Sequence, residues 1–212
     1  MTTRSFLARL GVGVALLLPL SACVTLSEQR AQLAAAPVCC GSYALMPYLK
    51  VGIPETRTVK FDSSSPAYIF ESGKSFFIAF ELPVWTFPYE VEIRTKHTSA
   101  AGIFRPRIKL IGSDFQTLRT FGPEDRFGRN PETIEFFVNQ ENQAERYMIV
   151  YSDSAGAGGK EGLHVAPIII PVGPVILNMG ATEHRVTVPY SPMGEVSLSL
   201  KPYAPRGVGA KS

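Results

Sequence analysis

The chain has 212 residues, 45% of them hydrophobic and 18% charged, with 21 Lys and Arg against 18 Asp and Glu. That length supports one domain with a real core, and so small a positive excess argues against nucleic acid or a strongly acidic polymer as a partner. The excess is also mostly a targeting feature: Arg4 and Arg9 lie in a segment that reads as removable, and without them 19 basic residues face 18 acidic ones.

Residues 1–22 carry the parts of an export signal in order. Arg4 and Arg9 form a positive start, the apolar run from Leu10 to Leu20 follows, and small residues close it. The run is too short for a bilayer-crossing helix, which needs about 20 apolar residues, and it is interrupted by Gly11, Gly13 and Pro19. Leu20-Ser21-Ala22-Cys23 resembles the lipobox of bacterial lipoproteins, which implies cleavage before Cys23 and acylation of that cysteine. Each buried methylene contributes roughly 0.8 kcal/mol, and two chains suffice for stable anchoring. Val24 stands where similar lipoproteins retained at the inner membrane carry aspartate, so the resemblance favours an outer-membrane lipoprotein facing the periplasm.

Residues 23–38 then read as a lipidated tether. Ala31 to Ala36 favour helix and Pro37 ends it. Extended, Val24 to Pro37 would reach roughly 45 Å from the lipid, and about 20 Å as a helix. With Cys23 acylated, only Cys39 and Cys40 remain. Adjacent Cα atoms are about 3.8 Å apart across a trans peptide, below the usual disulfide range of about 4.4–6.8 Å. The pair is therefore either a vicinal disulfide or two free thiols, and no C-x-x-C spacing or adjacent histidine marks a catalytic thiol.

From residue 39 to 212 the expected domain is all-β. Phe76, Ile78, Phe80 and Leu82 alternate, as do Tyr89, Val91 and Ile93. Phe104 to Leu110 and Phe115 to Phe121 flank Gly112-Ser113-Asp114 and predict a hairpin. Ile134, Phe136 and Val138, then Tyr147, Ile149 and Tyr151, then Val196, Leu198 and Leu200 repeat the pattern. Short strands with polar turns predict a single antiparallel β-sandwich, with a jelly roll as the alternative. The stretch 152–180 departs from this pattern as a long excursion: Gly-rich first, then apolar and punctuated by Pro167, Pro171 and Pro174. Its apolar half, with Ile169, Val175 and Leu177, is expected either to cover a sheet edge or to dock a membrane component.

Several motifs resemble the maltose-operon periplasmic protein family of Gram-negative bacteria. They are Cys39-Cys40-Gly41-Ser42 with Met46-Pro47-Tyr48-Leu49, the stretch Glu71 to Pro83, Phe104 to Ile111, Glu145 to Tyr151, and Gly194 to Pro202. The resemblance implies an envelope protein accessory to oligosaccharide uptake of the maltodextrin type, with no established enzymatic activity.

The residues themselves favour binding over catalysis. Gly73-Lys74-Ser75 copies the end of a phosphate-binding loop, but Tyr68 occupies the position of its first glycine. Gly158-Gly159-Lys160 is followed by Glu161 where Ser or Thr would hold magnesium. His97, His164 and His184 have no metal-ligand spacing, and no G-x-S-x-G elbow is present. The expectation is a non-enzyme with no cofactor and no metal. Trp85 and Phe87, between Pro83 and Pro88, are candidate stacking residues for an oligosaccharide, or else continue the buried face of the strand that follows. The alternative function is a structural lipoprotein that docks a porin, a transport protein or another envelope component.

Overall fold

The computed structural model describes residues 24–96, 102–122, 133–153, 168–172, 175–179 and 189–203. In chain order these form helix α1 (Leu26–Ala35) and strands β1 (Tyr48–Lys50), β2 (Glu55–Phe61), β3 (Ala67–Phe70), β4 (Gly73–Glu81), β5 (Tyr89–Lys96), β6 (Ile103–Phe104) and β7 (Pro106–Gly112). They continue with β8 (Thr117–Phe121), β9 (Thr133–Val138), β10 (Glu145–Ser152), β11 (Ile168–Val172), β12 (Val175–Met179), β13 (Tyr190–Ser191) and β14 (Gly194–Pro202).

Two sheets form the body. One runs β1-β4-β10-β7-β8 with β3 also on β4, and the other runs β2-β14-β5-β9. The largest apolar cluster takes side chains from both, including Phe80, Ile108, Leu110, Met148 and Val150 from the first and Val91, Ile93, Ile134, Leu198 and Leu200 from the second. The alternation read from sequence matches the inward parity on β5, β7, β9 and β14, whereas on β10 the residues read from sequence, Tyr147, Ile149 and Tyr151, face the second cluster and Met148 and Val150 enter this core. The expected hairpin is present, with β7 and β8 antiparallel and Leu110 opposite Arg119.

The expectation of a single antiparallel β-sandwich, and with it the jelly-roll alternative, is overturned. β1 runs parallel to β4, and β13 runs parallel to β6. The β6–β13 and β11–β12 pairs are sheets of their own, and among the described residues one α-helix packs against the strands. A parallel pair needs a crossover between its strands, and here the chain makes it by passing through β2, in the other sheet, before returning as β3 and β4. Apolar alternation reports which face is buried but not the direction of the neighbouring strand, so this pairing leaves no mark in the periodicity.

The residues read as a tether are also placed differently. Thr25 caps α1 in a reciprocal box: the Thr25 backbone N–H donates to Glu28 Oε2 at 2.7 Å, and the Glu28 N–H donates to Thr25 Oγ1 at 3.3 Å. Leu33 is buried against Ala67 and Phe76. Lys74 Nζ donates to the carbonyls of Ala34 at 2.8 Å and Ala36 at 2.5 Å, which satisfies backbone acceptors at the helix end and sets a cation against its negative pole. Ser191 Oγ lies 2.5 Å from Gln29 Oε1 in a buried contact. The segment is therefore docked on the domain rather than standing off it.

Gly194, at the start of β14, marks a close approach. A β-carbon there would overlap the Phe104 side chain, which stacks on Phe61 with ring centroids 4.5 Å apart. Gly194→Ala is expected to destabilise the fold by about 1–3 kcal/mol through overpacking, read as a lower midpoint in urea unfolding with an unchanged slope.

Candidate functional site

β4 is apolar at both parities. Phe80 faces the four-stranded sheet, while Phe77 and Ala79 face outward into a second cluster with Met46, Phe70, Ile111, Ile149 and Tyr151. That outer face is covered by the chain between α1 and β1 and by β3, which bring a concentration of aromatic rings with them. Phe70 stacks on Tyr151 at 3.9 Å and 11°. Tyr147 lies 4.5 Å from Tyr48 and stacks on Phe115 at 5.0 Å and 12°. Tyr43 meets Tyr68 at 5.5 Å.

Within this cluster Phe70, Phe77 and Tyr151 are buried, whereas Tyr43, Tyr48, Tyr68, Phe115 and Tyr147 are half-buried. The outer layer thus combines ring surface with hydroxyls. Phe115 holds a positive φ of 60° at the β7–β8 turn, a conformation costly for a bulky side chain, and it carries the ring onto Tyr147. The Tyr48 hydroxyl donates to the Tyr43 carbonyl at 2.9 Å. Burial pushes the Tyr43 hydroxyl up to about 12, with Glu71 adding to the effect and a hydrogen bond with Thr117 opposing it. Burial also raises Tyr48, with Tyr147 as the next cause. Both hydroxyls therefore stay neutral across the physiological range and act as hydrogen-bonding groups.

Charged groups border the rings. Lys109 is buried on the outward parity of β7, and its Nζ donates to Glu71 Oε1 at 2.9 Å, while the Glu71 side chain is 72% exposed. Arg107 Nε donates to Asp153 Oδ2 at 2.8 Å. Cys40 packs against the same cluster, and its sulfur is bonded to that of Cys39, with the two Cα atoms 3.8 Å apart. Of the two states open from sequence, the structure carries the vicinal disulfide.

The residues singled out from sequence lie elsewhere. Trp85 and Phe87 sit in the connection between β4 and β5. Trp85 packs partly against the main core with its indole N–H buried, and Phe87 is exposed. They do not form one stacking surface. Ile169 on β11 lies opposite Asn178 of β12, whereas Leu177 lies opposite Ile170 and Val175 opposite Val172, so the three positions do not share one phase of that hairpin. Cys23, His97, His164, His184 and Gly158-Gly159-Lys160 lie outside the described residues. Gly73-Lys74-Ser75 opens β4, with Lys74 committed to the end of α1. Among the described residues, no group of three or more His, Cys, Asp and Glu is placed to hold a metal ion. No helix among them is long and apolar enough to cross a membrane.

The aromatic face was not assembled from the sequence, although a signal for it existed. Phe76 and Phe77 are adjacent, as are Met148 and Ile149, and strands apolar at both parities are covered on both sides. Tyr43, Tyr48 and Tyr68 lie close enough in sequence to supply the cover. No protein-family model, no curated protein and no solved structure matches this chain.

The Glu71–Lys109 pair yields a pH prediction. The hydrogen bond from Lys109 is the main reason that the Glu71 carboxyl titrates below its usual range. A depressed carboxylate contributes stability that is present above its unfolded pKa and lost as pH falls through the folded one. Wild-type chain is therefore expected to lose stability on acidification below about pH 4.3, and Glu71→Gln to lose less over the same window. Urea midpoints at pH 7 and pH 3 measure the difference.

Proposed function

We propose that this chain is a non-enzymatic, lipid-anchored envelope protein that binds oligosaccharide on the outer face of its six-stranded sheet, as an accessory to carbohydrate uptake. One observation carries the binding reading: the half-buried rings of Tyr43, Tyr48, Tyr68, Phe115 and Tyr147 share one face with the exposed carboxylate of Glu71. Pyranose rings offer apolar C–H faces and a rim of hydroxyls. Aromatic faces serve the first, and tyrosyl hydroxyls and carboxylates serve the second. The motif resemblance to the maltose-operon periplasmic proteins points to the same ligand class, and the lipobox-like ending at Cys23 supports attachment to the outer membrane on its periplasmic side.

The docking alternative also has a specific observation behind it. Leu45, Leu49 and Ile69 are 70%, 47% and 62% exposed, and Leu49 and Ile69 belong to β1 and β3, which both pair with β4 at the same end of the strand order. Exposed apolar side chains on an edge suit a protein partner such as a porin or transport component.

Calorimetry with maltodextrins separates the two readings. Binding heat is expected for the wild-type chain, with Tyr147→Ala and Phe115→Ala each weakening affinity by about tenfold, the equivalent of ~1.4 kcal/mol. Trp85→Ala and Phe87→Ala are expected to leave affinity unchanged. No heat with any glycan, together with in-cell crosslinking from Ile69 to an envelope protein, would replace sugar binding with docking.

A further inference from the structure

A cavity of about 230 Å³ opens beside the N-terminal end of α1, with Val24, Lys60, Phe61, Asp62, Met193 and Glu195 in its lining. Its position matters because of how little chain separates it from Cys23. The capping box fixes Thr25, and the contacts of Gln29, Leu33 and Lys74 hold the helix behind it to the domain. Val24 is the only residue between that fixed cap and Cys23, so two residue steps of about 3.6 Å limit Cys23 to roughly 7 Å from Thr25. An acyl group on Cys23 would hold this end of the domain within the headgroup layer.

The cavity's chemistry suits that layer. Val24, Phe61 and Met193 supply apolar lining, and Lys60, Asp62 and Glu195 bring charge of both signs. Lys60 pairs with Asp62 at 3.4 Å, and Glu195 lines the same cavity while accepting from Lys96, which lies outside it, at 2.9 Å. A lining with one cation, Lys60, and two carboxylates, Asp62 and Glu195, matches a headgroup that carries both a phosphate and an ammonium, since each group meets its opposite.

We propose that this end of the domain lies against the bilayer and that the cavity receives the headgroup of a zwitterionic phospholipid, a surface that rests on the reading of Cys23 as acylated. The opposite end then points away. β14 starts at Gly194 beside the cavity and ends at Pro202, eight steps or about 26 Å further on. Pro202 pairs with Tyr89, only four residues after Trp85, so the single tryptophan is a built-in reporter of the distal end.

The test uses the mature chain purified from envelopes and reconstituted in phosphatidylethanolamine–phosphatidylglycerol vesicles that carry a headgroup nitroxide. Ser63, exposed in the turn beside Asp62, gives the proximal reporter as Ser63→Trp in a Trp85→Phe background. Quenching is expected to be at least threefold greater for Ser63→Trp than for native Trp85, and to fall to the Trp85 level when a 12-residue Gly-Ser insert separates Cys23 from Val24. Should Trp85→Phe perturb folding, Ser63→Trp is read by difference against the wild-type chain. Equal quenching at the two ends, or stronger quenching of Trp85, overturns the proposal. Mass spectrometry of the same sample reads the anchor separately. An acylated chain with an unquenched Ser63→Trp removes the bilayer contact alone, whereas an unacylated N-terminus removes the anchor reading and the contact with it.

Discussion

The double-sided burial of β4 is the constraint on which the rest of the structure depends. Phe80 enters the core between the two large sheets, while Phe77 and Ala79 leave on the other side. Fully burying one Phe side chain contributes roughly 1.5–3 kcal/mol, so an uncovered outer face would forfeit Phe77 and its neighbours Ile149 and Tyr151. Cover comes from the chain between α1 and β1 and from the edge strands β1 and β3, and the N-terminal segment is in place to provide part of it. Its route over that face brings in Met46, Tyr43 and Tyr48, runs β1 parallel to β4, and packs Cys40 against the same layer. The parallel strand, the aromatic face and the position of the disulfide thus have one cause.

That cause explains what could be read from the sequence. Strands with one apolar parity, such as β5 with Tyr89, Val91 and Ile93, were legible because alternation reports a single buried face directly. The β7–β8 hairpin was legible because Gly112-Ser113-Asp114 supplies turn chemistry between two apolar runs. The direction of β1 was not, since three residues with one half-buried ring carry no period and a parallel partner is chosen by the route of the chain. The aromatic face was missed for a related reason. Its rings come from five separate segments, and only the pairing of β1, β3, β7 and β10 around β4 brings them together.

Trp85 and Phe87, for which the sequence left a stacking role and a buried one both open, show the converse case. Flanking prolines make a segment look exposed, because proline resists strand pairing. The same prolines also let the chain leave β4 and turn back toward the core before β5, and Trp85 follows that turn inward. A lone tryptophan near a turn is therefore a weak marker of a binding rim. A set of half-buried tyrosines over a sheet already closed on its other face is a stronger one, because those rings cover the apolar residues beneath them and still present ring surface to solvent.

The docking of α1 links the two ends of the argument. A ten-residue helix is marginal in water by itself, and here its capping box adds about 1 kcal/mol while burial of Leu33 adds roughly 1.5–3 kcal/mol. The helix is therefore held chiefly by the domain, through Phe76, Lys74 and Ser191. Phe76 is the immediate neighbour of Phe77 on β4, so the strand that anchors the aromatic layer on one parity also anchors the helix on the other. A long flexible tether would leave a lipidated domain free to tumble. If Cys23 is acylated as proposed, a helix fixed to β4 would instead make the orientation of the aromatic face relative to the membrane a property of the fold itself, set by the same strand that requires that face to be covered.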